Sequence, residues 1–461
     1  MSKVNTSLSI SNPHPHGSHW SEKLGVAVGS VGLLILAAAL IGTDFSSKGM
    51  VLGVALLSLT AAPILFAYGK YNNTSPGIKN NGVWNRSLSS RGLLAWGIGV
   101  LLTSFYVVLY WYPTLLGQGG GEVANSGIIG LFDPLSMALK GKPASQWFVY
   151  GTLYTVAIIG LGAKFMYKYR HNRYQLLRTS SVILFQLGFA FLIPEILQGL
   201  NPDLAYFDMD AKNMWPLDYD FAHSWHLKNL LNGGNLGMFF LTLGVAKFLL
   251  ISPILTYFYG KRWYCSWVCG CGGLAETAGD SFRQLSDKSL KAWKIERWMI
   301  YSVLVLVTIM TIASLYGFFT NSGTFLGLDI YKYFQKPYGF FIGAAFSGVV
   351  GVGFYPLLGN RVWCRFGCPM AGLLGLQQKF FSRFRITTNG GQCISCGNCS
   401  TYCEMGIDVR AYAQKGQNIV RASCVGCGVC SAVCPRGVLK LENGKIDLDQ
   451  RTSELKSLHI R

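Results

Sequence analysis

Long apolar windows alternate with short polar stretches through the first three quarters of the chain, and then the pattern stops. Windows of about twenty apolar residues, the length a bilayer core demands, run over 24–42, 50–68, 92–114, 147–167, 179–199, 235–259, 298–319 and 338–358. The spacing predicts eight transmembrane helices. From about 386 no such window remains, and a small domain rich in Cys and Gly is expected over 386–445. Composition agrees: with 51% hydrophobic and 13% charged residues in 461, the chain is too apolar for an ordinary soluble protein. The first 23 residues are polar and show no cleavable signal peptide pattern.

A net charge of +19 invites a nucleic-acid reading, but its distribution points to topology. Between windows two and three stand Lys70, Lys79, Arg86 and Arg91 with no acid, and between four and five stand Lys168, Arg170, Arg173 and Arg178. The alternate loops are poor in Lys and Arg, and 200–234 carries Asp203, Asp208, Asp210, Asp218 and Asp220. The positive-inside rule then puts both termini and the Cys-rich segment in the cytoplasm. Lipid is the partner this charge calls for, and no nucleic acid is required.

All 13 cysteines fall within 265–434. In a reducing compartment they favour metal ligation over disulfides. Eight form two tandem runs, Cys393-x2-Cys396-x2-Cys399-x3-Cys403 and Cys424-x2-Cys427-x2-Cys430-x3-Cys434-Pro435. Thiolates suit iron–sulfur clusters, and in such tandem runs the fourth cysteine ligates the other run's cluster. Cys393, Cys396, Cys399 and Cys434 are therefore expected to hold one [4Fe-4S] cluster, and Cys424, Cys427, Cys430 and Cys403 the other. Zinc knuckles also use Cys-x2-Cys, but zinc needs two pairs per site, not two runs of four ending in Cys-Pro.

Five further cysteines lie in two stretches that align without gaps. Gly260-Lys261-Arg262-Trp263-Tyr264-Cys265 continues to Cys269 and Cys271 after window six; Gly359-Asn360-Arg361-Val362-Trp363-Cys364 continues to Cys368 and Pro369 after window eight. This is an internal repeat of one helix plus its cysteine turn. A spacing of i and i+4 would put both sulfurs on one helical face. Side by side, Cys265, Cys269, Cys364 and Cys368 would make a four-thiolate site. A third iron–sulfur cluster, a copper(I) or redox-active thiol site, and unmetallated small hydrophobes all remain open for it. Cys271 has Met370 as its counterpart and is a spare or substituting ligand.

At these residues the chain resembles the membrane polyferredoxin family. That family includes the quinol-oxidising subunit of periplasmic nitrate reduction, the iron–sulfur flavoprotein of nitrous oxide reduction and a copper-handling assembly factor of cbb3-type oxidases. The resemblance covers about 235–440, including Cys403-Glu404-Met405-Gly406-Ile407-Asp408. It implies helix-terminal Cys-x3-Cys motifs paired with a cytoplasmic double-cluster domain. The first motif departs from the family in having Gly270 where Pro is usual. No periplasmic sandwich domain is evident after the Cys-rich segment, which counts against the copper-handling members, and no soluble flavin-binding region is evident before the first window.

A cluster protein embedded in lipid suggests quinone as a redox partner. Candidate residues are Lys247 near the centre of window six, Glu195 as its partner near the outer end of window five, and the outer-loop pair His223 and His226. His14, His16 and His19 belong to a polar tail. No dinucleotide fingerprint and no Ser-His-Asp arrangement is evident. The expected fold is a membrane all-α body of about eight transmembrane helices with an α+β bacterial-ferredoxin-like domain at its C-terminus. Its parts are a tail over 1–23, five helices over 24–234, the repeat region over 235–385, the two-cluster domain over 386–445 and a tail over 446–461. The expected function is relaying electrons between the quinone pool and a redox partner, in a respiratory or other electron-transport complex. The alternatives are a copper-reducing assembly factor and a subunit whose helices scaffold a larger complex.

Overall fold

The computed structural model describes residues 19–72, 88, 90–120, 123–202, 204–211, 217 and 221–444. His14, His16, Lys79, Arg86, Asp203, Asp218, Asp220 and the tail over 446–461 lie outside the described residues.

The body is built from α1 (Trp20–Leu40), α2 (Lys48–Tyr71), α3 (Leu93–Trp111), α4 (Gly127–Lys140), α5 (Gln146–Lys168), α6 (Arg173–Leu200), α7 (Gly234–Tyr259) and α8 (Leu290–Thr320). All but α4 are long and apolar enough to cross a membrane, which makes seven such helices among the described residues. Polar caps start several of them: the side chains of Ser145, Asn172 and Ser289 accept from the backbone N–H of Phe148, Gln175 and Ala292. Large apolar side chains such as Leu34, Leu101 and Leu306 face outward, as lipid-facing positions would.

Two features differ from the expected eight spans. The window over 338–358 is not one regular α-helix but a chain of short pieces: Lys336–Tyr338, a π-wound segment Gly339–Val350, then Gly351–Gly353 and Tyr355–Leu358. Its glycines weaken regular winding and let α3 come close. A Cβ at Gly348 would stand 2.8 Å from the Tyr110 ring, and one at Gly353 would stand 2.5 Å from the Thr103 hydroxyl. The other is α4, which lies where a loop was expected. It is too short to span, and it buries Ile129, Leu131 and Phe132 in a cluster with Leu52, Leu109 and Phe148.

Each copy of the repeat leaves its helix through a glycine with positive φ, Gly260 at 66° and Gly359 at 95°. The accompanying ψ values of −178° and 170° are open essentially to glycine alone. That is why Gly recurs at the same place in both copies. Each then forms a short helix (Arg262–Cys265 or Val362–Phe366) and turns into a second one, Gly270–Thr277 or α9 (Pro369–Phe381).

The C-terminal domain is α+β, as expected. Strand Arg385–Thr388 pairs antiparallel with Leu439–Glu442, closing the segment end to end, and Ile386 also bridges to Ile419. Three short helices lie between: Asn398–Thr401, Val409–Gln414 and Val429–Ala432. One buried cluster runs from the helix ends (Tyr264, Cys265, Cys364, Leu374) into this domain (Ile386, Met405, Val425, Cys430), so the two pack as one core.

Candidate functional site

The two cysteine runs wrap two separate cavities. One is lined by Cys393, Cys396, Cys399 and Cys434, the other by Cys403, Cys424, Cys427 and Cys430. Each cavity takes three cysteines from one run and the last from the other, the crossed grouping expected from their spacing. The local reason is the same in both halves. Gly397 and Gly428 hold φ of 81° and 74° at the start of a short helix, which folds the second and third cysteines of each run around one centre. Backbone amides add to this cradle, with the Ile407 N–H donating to the Cys403 sulfur at 3.4 Å. Among the described residues, no group of three or more His, Cys, Asp or Glu is placed to hold a single metal ion. A lone tetrahedral zinc, with bonds of about 2.3 Å to sulfur, would need tighter groups. Four cysteines lining each cavity are the donor set that a four-iron cluster takes.

The cavities are not equivalent. Cys396 is exposed and Arg410 and Arg436 line its cavity, whereas Cys424 and Cys430 of the other cavity are buried. Four side chains of the body grip the loop over 424–427. Tyr174 Oη donates to the Gly426 carbonyl at 2.8 Å, and Gln175 Nε2 to that of Cys427 at 2.9 Å. Ser266 Oγ donates to Val425 O at 2.9 Å and Gln378 Nε2 to Cys424 O at 2.8 Å.

Beneath this loop lies a buried ion-pair network that sequence reading missed. Asp280 pairs with Lys168 at 2.5 Å and Arg283 at 2.7 Å; Arg283 reaches Glu404 at 2.6 Å; Arg361 joins Glu404 at 3.0 Å and Glu276 at 2.5 Å. Arg178 completes it by pairing with Glu276. Burial alone would raise the Asp280 carboxyl, but Lys168 and Arg283 hold it down to about 2. The same opposition, with Arg361 and Arg283, holds Glu404 at about 2. Lys168 and Arg178 had counted only as topological charge. The available signal was Glu276, Asp280 and Arg283 at helical spacing just after a cysteine turn, but periodicity cannot show which basic residues such a set will meet.

The four helix-terminal cysteines come together beside the network. Cys265 and Cys364 are buried, and the charges of Cys364, Cys265 and Cys269 all bear on Cys368. Burial pushes the Cys265 thiol up to about 12. The pairs do not share a helical face, as the i, i+4 spacing had suggested. Cys265 ends one short helix and Cys364 lies within its counterpart, while Cys269 and Cys368 are each the extended N-cap of the helix that follows. Pro369 disfavours helical geometry at Cys368, and Gly270 takes its place in the first copy. Cys271 is exposed and stands outside the buried cluster.

The quinone candidates do not gather. Glu195 pairs with Lys140 at 2.9 Å, not with Lys247, because α4 brings a second buried cation to the end of α6. Lys247 donates to the Ala211 carbonyl at 2.9 Å and lies 5.8 Å from the centre of the Tyr264 ring. His226 faces Asp208 at 3.2 Å, while His223 accepts from the Trp225 indole at 3.1 Å. Both histidines thus contact neighbours within the 204–233 segment.

Comparison with known proteins finds similarity to 4Fe-4S binding domains over parts of the chain. The family described as "4Fe-4S dicluster domain" matches residues 385–435. The family described as "4Fe-4S binding domain" matches twice, at 242–289 and 339–387, one match for each copy of the repeat. Among curated proteins, the chain is 26% identical over 174 residues to the Escherichia coli (strain K12) protein named "Putative electron transport protein YccM". That alignment covers 36% of this chain and 47% of the relative, so the chain spans about half the length of the curated relative it matches. No solved structure matches the chain.

Proposed function

We propose that the protein is a multi-pass electron-transfer protein of the bacterial cytoplasmic membrane, relaying electrons between the quinone pool and a protein redox partner. The observation that carries this reading is the stacking of two cysteine-lined cavities on the end of the helical body where Cys265, Cys269, Cys364 and Cys368 meet. Domain matches to 4Fe-4S families and a relative named for electron transport support it.

Bound in the two cavities, [4Fe-4S] clusters would accept and release single electrons. Cys393, Cys396, Cys399 and Cys434 would hold the cluster nearer solvent, and Cys403, Cys424, Cys427 and Cys430 the one nearer the helices. Arg410 and Arg436, beside the solvent-side cavity, present positive charge to an acidic partner surface. Arg283 and Arg361 clamp Glu404, which follows ligand Cys403, and so fix the inner half of the domain to the body. The four helix-terminal cysteines extend the thiolate series toward the bilayer. The 386–445 domain lies in the cytoplasm in this reading, which the basic loops favour.

The test is reduction of the anaerobically purified full chain by a soluble quinol, followed by low-temperature electron paramagnetic resonance. Quinol-dependent appearance of reduced-cluster signals, or their loss on adding quinone, is expected. Clusters inert to both would end the quinone reading and leave electron transfer between proteins. Stoichiometric copper(I) retained by the wild type and lost in Cys364→Ala would favour the metal-handling alternative.

A further inference from the structure

A cavity of about 260 Å³ opens between α8, the second cysteine turn and the C-terminal domain. Five cations line it, Lys261, Arg297, Arg365, Lys379 and Arg421, against one carboxylate, Glu296. That carboxylate is already committed, since Arg365 Nε donates to it at 2.7 Å. Arg365 Nη1 is satisfied by the Asp287 carbonyl at 2.8 Å, but its buried Nη2 has no acceptor among the described residues. An unmet guanidinium donor in a residue only 4% exposed is costly unless something accepts from it. Two more guanidiniums crowd one ring: Arg421 lies 4.5 Å and Arg297 5.3 Å from the Trp293 indole centre. Both guanidiniums thus add positive charge to the wall of the chamber that Trp293 also lines.

The cavity does not end in water alone. Arg297 and Tyr301 also line an adjoining open groove on the outer face of α8, with Trp298, Val305 and Leu306. These last three are largely exposed and apolar, and they follow the aromatic residues of the first turns of α8, where an aqueous interface would lie. A cationic chamber and an apolar track on a lipid-facing helix thus share Arg297 and Tyr301 as a common wall.

We propose that this pair of cavities binds one anionic phospholipid, its phosphate in the chamber between Arg365, Arg297 and Arg421 and its acyl chains along Trp298, Val305 and Leu306. The excess of four positive charges selects an anion over a neutral headgroup, and the apolar track selects an amphiphile over a free ion. Basic recesses between helices on the cytoplasmic side are the usual place for such lipids. Bound there, the lipid would tie α8 to the Met405 and Arg421 segments of the C-terminal domain, which line the same chamber.

The experiment is native mass spectrometry of the purified full chain, delipidated and then titrated with phosphatidylglycerol or phosphatidylcholine. Wild type is expected to retain one phosphatidylglycerol with roughly tenfold preference over phosphatidylcholine. The double variant Arg297→Ala/Arg421→Ala should lose that preference while keeping wild-type iron content and circular dichroism. If the double variant misfolds, Lys379→Ala, at an exposed position, provides the same readout with a smaller loss. Equal retention of both lipids would overturn the proposal. Displacement by millimolar inorganic phosphate would show a free-anion site instead, and displacement by a short-chain quinone would show a quinone site; either result overturns it.

Discussion

Arg361 stands 3.0 Å from the Glu404 carboxylate and 3.6 Å from the Cys364 sulfur, so one buried guanidinium touches the helix-terminal cysteines and the loop that follows Cys403. The same guanidinium ties the two copies of the repeat together, since Arg361 also donates to the Cys265 carbonyl at 3.3 Å. Replacing it with Ala strands Glu404 and Glu276 with fewer countercharges. A loss of about 3–5 kcal/mol is expected, as for one partner removed from a buried ion pair. Thermal unfolding in detergent should show it as a lowered midpoint, with earlier proteolysis of the 386–444 segment. Arg361→Lys keeps the charge but not the fork, and should fall between. An unchanged midpoint in Arg361→Ala would mean that Arg283 alone holds Glu404.

The crossed grouping of cysteines makes a prediction that an uncrossed one does not. Cys434→Ser should remove the solvent-side cluster together with any effect of losing Cys393, Cys396 or Cys399. Cys403→Ser should remove the inner one. Iron and sulfide analysis should fall by about four from about eight in each case. The spectra should show that Cys434→Ser matches Cys396→Ser and not Cys427→Ser. A match to Cys427→Ser would refute the grouping that the cavities display.

Lys140 and Glu195 form a pair whose side chains are 7% and 5% exposed. Removing Lys140 alone leaves a buried carboxylate and should cost about 3–5 kcal/mol, whereas Lys140→Met with Glu195→Gln should cost far less. A double-mutant cycle on thermal midpoints measures the difference. Additive losses would show that the two residues do not meet in the folded protein.

Acid should loosen the segment over 204–233 before the rest. Burial, and then the neighbouring His226, hold the His223 imidazole down to about 4, against about 6.5 in an unfolded chain. As pH falls through 6.5 the unfolded segment takes the proton first, so the stability this neutral histidine contributes is full above that value. It is lost progressively between about 6.5 and 4. Hydrogen exchange of this segment at pH 7, 5.5 and 4 should show rising rates in wild type and a flatter profile in His223→Asn.

Much of the site was legible from spacing. Two cysteine runs at two- and three-residue intervals predicted which four cysteines line each cavity, because so short a loop can wrap only a centre close to it. The repeat was equally plain, since Gly260 and Gly359 occupy a backbone conformation that other residues avoid, and a demand of that kind recurs in the sequence. Hydropathy placed seven long helices because backbone polar groups in an apolar phase must be satisfied within the helix. It missed the short, packed α4 and the π-wound 339–350 segment, where glycine and close helix contact decide the winding. It also assigned Lys168 and Arg178 to exposed loops.

The sequence by itself determined which residues could form clusters, how many times the cysteine turn occurs and which stretches could face lipid. Each follows from short-range geometry or from the polarity of a continuous window. Only the tertiary structure decided that Lys140 meets Glu195, that Arg361 joins Cys364 to Glu404, and that Arg365 keeps a buried donor facing a cationic chamber. Lys140 and Glu195 stand 55 residues apart and Arg361 and Glu404 43, each pair on different elements. Buried charge finds its partner through packing in three dimensions, and no spacing along the chain records that choice.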